Sequence, residues 1–179
     1  MVLASGGIDS AACIHILQSR GIVVSTLFVN FGQPARVQEQ KAIARLSKWF
    51  GVRLTNVRVS SPGTFIPGEI VGRNAFLVFC ALMFCRPNFG QIALGIHAGT
   101  PYFDCSKAFF DVTSRSVQDH TNGQIHLAAP FLTWSKAEIV YYFQHHDLPI
   151  HLTYSCERGG RLPCGRCLSC RDREALGVT

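Results

Sequence analysis

No apolar run in this sequence is long enough to cross a bilayer. The best candidate, Ala75 to Cys85, is 11 residues, about half of the ~20 that a spanning helix needs. A buried core helix is the better reading, even though 47% of the chain is hydrophobic. No basic-then-apolar leader precedes the first glycine cluster, so no export signal is read and a cytoplasmic location is expected. Blocks of consecutive lysines and arginines are missing too. The net charge of +6 therefore suits polyphosphate binding without pointing to direct contact with nucleic acid. Low-complexity tracts and internal repeats are lacking, which leaves one ordinary globular domain for 179 residues.

What is present alternates. Val2 to Ala4, Ile22 to Phe31, Val52 to Val59, Gln91 to His97 and Ile125 to Ala129 read as strands. Between and after them, Asp9 to Arg20, Pro34 to Phe50, Arg73 to Cys85, Cys105 to His120 and Ser135 to His146 read as helices, with a loop carrying Pro62, Gly63, Pro67 and Gly68 before the third. Ser135 with Glu138 three residues on forms a capping box. The expected fold is α/β: a Rossmann-like, doubly wound, five-stranded parallel sheet with ligands at the carboxyl ends of the strands. Residues 1–150 form the nucleotide-binding α/β domain, and 151–179 a cysteine tail packed on it.

Ser5-Gly6-Gly7-Ile8-Asp9-Ser10 sits where the first strand turns into a helix. Paired glycines let backbone approach a ligand, and the helix N-terminus favours negative charge, so this loop suits a phosphate chain. Ser5 and Ser10 offer hydroxyl donors, and Asp9 either caps the helix or helps hold Mg2+. The plain alternative is a Gly-Gly turn with Asp9 or Ser10 as N-cap. Neither commoner glycine signature fits, since the lysine of one and the third glycine of the other are absent. The hexapeptide resembles the PP-loop of the N-type ATP pyrophosphatases (adenine nucleotide alpha hydrolase-like fold), which split ATP between its α and β phosphates.

Eight cysteines are present. Cys13, Cys80 and Cys85 lie in apolar surroundings and read as core filling, and Cys105 as core filling ahead of nucleophile. Cys156, Cys164, Cys167 and Cys170 fall within fifteen residues as C-x7-C-x2-C-x2-C. Thiolates so spaced reach one tetrahedral ion and close its coordination sphere, which makes the site structural and not hydrolytic. Zinc is preferred to an iron–sulfur cluster, because no electron-transfer feature accompanies the cysteines.

The two motifs together resemble the 7-cyano-7-deazaguanine synthase family over nearly the whole chain. Asn30-Phe31-Gly32-Gln33 looks like the family's D-Y-G-Q, Gly72-Arg73-Asn74 like P-G-R-N, Tyr102-Phe103-Asp104-Cys105 like Y-P-D-C, and Trp134 to Glu138 like W-x-K-A-E. The resemblance implies ATP-driven amidation of 7-carboxy-7-deazaguanine with ammonia, followed by dehydration to the nitrile in a homodimeric enzyme. It also implies roles. Arg73 and Lys136 join the loop and Mg2+ on the phosphates; Tyr102, Phe103, Asp104 and Trp134 hold the heterocycle; the cysteines hold structural Zn2+. Lys136 is otherwise a solvent-exposed residue past an N-cap, and His97 faces the expected site, whereas His145, His146 and His151 read as surface residues or partners of the tail. The chain departs from the family pattern at Pro34-Ala35 and in the short stretch Ser60 to Val71. A second reading is a divergent ligase joining a similar acid to another amine, including one on a protein acceptor, as in antiphage systems. A third is an inactive nucleotide- and zinc-binding module.

Overall fold

The computed structural model describes residues 1–60, 65–85 and 90–178; Pro62 and Gly63 of the expected loop lie outside them. Five parallel strands form one sheet: β1 (Val2–Leu3), β2 (Ser25–Asn30), β3 (Arg53–Arg58), β4 (Gln91–Leu94) and β5 (His126–Ala128). Their order is β3-β2-β1-β4-β5, so the chain winds outward from β1 in one direction and then in the other. Val2 pairs with Thr26 on one side and Ala93 on the other. The crevice between the two windings therefore opens beyond β1 and β4, where doubly wound sheets bind ligands.

The two faces carry separate cores. On one, α1 (Ile8–Ser19), α2 (Arg36–Phe50) and α5 (Lys136–His145) bury Ile14, Leu46 and Phe143 around Phe28. On the other, α3 (Arg73–Phe84) and α4 (Lys107–His120) pack Val78 and Val117 against Leu27 and Ile92. Among the described residues no helix is long and apolar enough to cross a membrane.

The expected boundaries shift for local reasons. Ile22 to Val24 precede the strand instead of belonging to it, because Gly21 turns at φ +74° and the Ile22 N–H is captured by the Leu17 carbonyl. Val23 is consequently 95% exposed. The fourth strand stops at Leu94, after which Ala98 N–H turns to the Trp134 carbonyl at 2.9 Å. Cys105 ends a separate 3₁₀ turn, Phe103–Cys105, and Ser106 caps α4 by accepting from Phe109 N–H at 3.1 Å. The capping box at Ser135 and Glu138 is formed in both directions. Cys13, Cys80 and Cys105 are buried, and Cys85 is partly so.

The tail is more ordered than its sequence suggests. Overlapping the end of the metal-ligand spacing is a short helix, α6 (Leu168–Ala175), which no apolar periodicity announces. Val178 beyond it enters the first core. Arg173 holds this end in place, donating from Nε to the Val178 carbonyl and from a terminal nitrogen to Thr153 Oγ1, both at 3.0 Å. Tyr154 N–H donates to the Gly6 carbonyl at 2.9 Å, which seats the tail directly on the glycine loop.

Candidate active site

β1 ends at Leu3, and the chain must reverse into α1 within four residues. Gly6 makes that possible. Its φ is +85°, and a Cβ there would sit 2.7 Å from Ala42 Cβ and 2.8 Å from the Ile43 nitrogen of α2. Gly7 is the N-cap of α1 and has no capping side chain. Ser10 is occupied elsewhere, its Oγ accepting the Ser5 N–H at 3.1 Å and lying 3.4 Å from Ser5 Oγ. Asp9 points instead to Lys136, whose Nζ donates to Asp9 Oδ1 at 2.5 Å. The plain turn capped by Asp9 or Ser10 is thereby excluded. What remains is a helix start whose side chains leave it open to an anion.

A cavity of about 300 Å³ adjoins this loop at the carboxyl ends of β1, β2 and β4. Ser5, Gly7, Asp9 and Ser10 line it, with Arg73, Lys136 and Arg173 as cations among its lining residues and Tyr102 on its wall. Lys136 arrives because Ser135 starts α5 at the cavity rim. Gly95 lets β4 run close to α1, since a Cβ there would lie 3.1 Å from Asp9. Seven of the sequence-derived residues, Ser5, Gly7, Asp9, Ser10, Arg73, Tyr102 and Lys136, thus meet around one space, with Gly6 shaping the turn behind them.

The expected aromatic and acidic contacts to a heterocycle divide. Asp104 is buried and turned inward: Oδ2 accepts the Asn74 N–H at 3.0 Å, and Oδ1 lies 3.7 Å from Cys105 Sγ. Asn74 returns a bond from Nδ2 to the Asp104 carbonyl at 2.9 Å. This pair ties the first turn of α3 to the 3₁₀ turn and so positions Arg73, whose Nε reaches Asn74 Oδ1 at 3.3 Å. Phe103 is 67% exposed and packs on Phe109, away from the cavity wall. Trp134 stacks among Phe131 and Tyr142 and lines a separate shallow groove with Tyr141 and His145. The structure brings Tyr102 to the cavity, and not Phe103, Asp104 or Trp134. Burial and the neighbouring Asp104 carboxylate push the Cys105 thiol up to about 11, so it is protonated at neutral pH.

Other cavity residues carried no motif. Glu39, in the first turn of α2, receives Gln33 Nε2 at 2.8 Å, and burial raises its pKa above the usual carboxylate range. Glu157, Ser169 and Asp172 enter from the tail, where Glu157 Oε1 accepts from both the N–H and the hydroxyl of Ser169. Closeness to the cysteines in sequence was the available signal for these three.

The four clustered cysteines converge as well. The Sγ atoms of Cys156, Cys164, Cys167 and Cys170 all lie within 4.8 Å of one another. That spacing fits four thiolates around one ion with metal–sulfur bonds of about 2.3 Å. Cys164 Sγ accepts N–H groups from Arg166 and Cys167, both at 3.4 Å, which bring its thiol down to about 6. A partly preformed thiolate is a good starting ligand. Because α6 begins beside Cys167 and also borders the cavity, the cysteine cluster braces one cavity wall.

Comparison with known proteins spans both the glycine loop and the cysteine tail. The family model described as "Queuosine biosynthesis protein QueC" matches residues 1–67 and 59–176. The 7-cyano-7-deazaguanine synthase of Synechococcus sp. (strain CC9605) is 30% identical over 206 aligned positions, covering 98% of this chain and 90% of the relative. That of Prochlorococcus marinus (strain NATL1A) is 32% identical, covering 97% and 90%. These alignments are longer than the chain itself, and the family match divides at residues 59–67, just before α3. Among solved structures, a predicted subunit of tRNA methyltransferase from Methanocaldococcus jannaschii superposes with a TM-score of 0.52 over 86% of this chain and 90% of that one. At 14% identity that likeness concerns the fold alone.

Proposed function

The chain belongs to the QueC family of queuosine biosynthesis proteins, and on that premise we propose that it is an AMP-forming ligase acting on 7-carboxy-7-deazaguanine. In this reading ammonia and ATP convert the acid first to the amide and then to 7-cyano-7-deazaguanine. The observation that carries it is the open start of α1, which shares one cavity with the Asp9–Lys136 pair and Arg73.

The chemistry follows from that placement. ATP lies with its phosphates over Gly6, Gly7 and the first turn of α1, and Lys136 and Arg73 neutralise the β and γ groups. A carboxylate oxygen of the acid attacks the α-phosphorus, the bond to the bridging oxygen breaks, and pyrophosphate leaves. Ammonia adds to the acyl carbon, and AMP departs with the former carboxylate oxygen. The amide oxygen then attacks a second ATP in the same way. Loss of AMP and of both amide protons leaves the nitrile. Holding acid and α-phosphorus in line is the main contribution required of the cavity walls. Asp9 would hold a magnesium ion, which supplies charge neutralisation on the polyphosphate. The four cysteines would hold zinc, which fixes the tail.

A second reading has its own support. The stretch in which the family match divides ends at the cavity mouth, where Ile66, Pro67 and Ile70 form part of the wall. A shorter rim leaves room for a larger amine than ammonia, including one carried by a protein. Mass spectrometry of an incubation with ATP, 7-carboxy-7-deazaguanine and ammonium separates the two. A nitrile supports the synthase, an amide or adduct supports the divergent ligase, and release of no AMP with this or any similar acid sinks both.

A further inference from the structure

His97 is 7% exposed, yet it borders the cavity and has no part in the phosphate contacts above. It stands just beyond β4, at the carboxyl edge of the sheet next to β1. Two neighbours fix the segment that carries it. On one side Gly95 lies against Asp9; on the other, Ala98 N–H binds the Trp134 carbonyl and so reaches the start of α5 with Lys136. Gly99 then leaves room for the ring, because a Cβ there would sit 3.1 Å from His97 Nδ1 and 3.2 Å from Cε1.

The ring's hydrogen bonds set its protonation pattern. Gly99 N–H donates to His97 Nδ1 at 3.0 Å. A backbone N–H can only donate, so Nδ1 presents a lone pair and the neutral ring carries its hydrogen on Nε2. Among the described residues Nε2 has one partner, Thr100 Oγ1, at a long 3.4 Å. Burial lowers the ring's pKa; Asp9 and Asp172 oppose that, and Lys136 reinforces it. A neutral ring with a nearly unused N–H therefore sits between the glycine loop and Lys136.

Building on the ligase reading above, we infer that His97 Nε2–H is the hydrogen-bond donor to the acyl oxygen while ammonia replaces AMP. As the C–N bond forms, the carbonyl π pair moves onto that oxygen, and the charge returns when the C–O bond to AMP breaks. His97 keeps its proton throughout. A neutral donor suits this position because burial disfavours the imidazolium, with Lys136 adding to that, more than Asp9 and Asp172 favour it. It would also hand its proton to the oxyanion instead of stabilising it, whereas a fixed neutral N–H lowers the barrier without a proton transfer.

The test uses the full chain. With wild-type protein turning over ATP, acid and ammonium, His97→Ala should lower kcat on the order of a hundredfold with little change in KM for ATP, the usual scale for losing one such donor. His97→Gln, which places an N–H near the same point, should recover most of that loss. Melting curves check that both variants fold, and long-range proton–nitrogen spectra of the wild type should show the neutral ring with its hydrogen on Nε2. An Nδ1–H ring, an imidazolium at neutral pH, or a folded His97→Ala variant with near wild-type kcat overturns the inference alone. A wild type that releases no AMP sinks the ligase reading and this inference together.

Discussion

Replacing Gly6 and Gly7 separately with alanine should produce two different failures. At Gly6 the backbone is left-handed, and the added methyl would meet the α2 backbone at 2.8 Å and Ala42 Cβ at 2.7 Å. A left-handed L-residue costs roughly 1–2 kcal/mol, and forcing an extra carbon into a packed contact costs a further ~1–3. Helix α2 cannot retreat easily, since Ile43 and Leu46 are fully buried. The sum, about 2–5 kcal/mol, takes a large part of a typical domain's stability. At roughly 2–4 °C per kcal/mol for this size of chain, the melting temperature should fall by ~4–20 °C. Gly7 has ordinary extended angles, φ −81° and ψ 175°, and its nearest foreign atom would be the Tyr154 carbonyl oxygen at 3.6 Å. Gly7→Ala should therefore melt within about 1 kcal/mol of wild type, the small penalty of a poorer N-cap. It should still weaken ATP binding about tenfold or more, because the methyl stands where backbone must approach phosphate. Thermal melts paired with calorimetric ATP titrations read both effects. A Gly6→Ala variant that melts with wild type, or a Gly7→Ala variant that binds ATP unchanged, would refute the reasoning.

Three further outcomes follow from the same geometry. Cys167→Ser should abolish the roughly one zinc per chain expected of a four-cysteine site, measured by elemental analysis, and should weaken ATP binding because α6 walls the cavity. Asp104→Ala should cost about 1–3 kcal/mol in urea unfolding by stranding the buried Asn74 N–H, while Asp104→Asn, which can still accept, should leave the KM for the acid unchanged. Glu39 has a folded pKa raised by burial, so the folded state binds its proton more tightly than the unfolded state does. The ionised form then costs stability above the folded pKa, and that cost fades as pH falls to the unfolded value. Glu39→Gln should accordingly melt higher than wild type at mildly alkaline pH, with the gap closing in acid.

The sequence displayed the parts of this site that are local. A strand end, two glycines and a helix start are contiguous, so the phosphate loop is legible from residues 5–10. The capping box at Ser135 is equally local, and it delivers Lys136 to the cavity rim. The cysteine spacing announces convergence because close thiolates on a short chain can do little else. What stayed hidden depends on side-chain direction or on distant crossings. Asp104 sits in a motif that resembles a recognition element, yet its carboxylate is consumed by Asn74, thirty residues away in sequence. Phe103 adjoins Tyr102, and Trp134 stands two residues before Lys136; a turn's twist decides which neighbour looks into the cavity. Glu39 and Asp172 meet the loop only because α2 and the tail both pack against the same glycine turn. The last helix is masked because arginines and metal-ligand cysteines break its apolar period.

Phosphorus NMR of the wild-type chain with ATP, magnesium, ammonium and 7-carboxy-7-deazaguanine tests the role of Ser5 to Ser10 most directly. Cleavage at the α-phosphorus predicts AMP and pyrophosphate appearing together, and only when the acid is present. ADP with inorganic phosphate, or no acid-dependent change in the ATP signals, would contradict it.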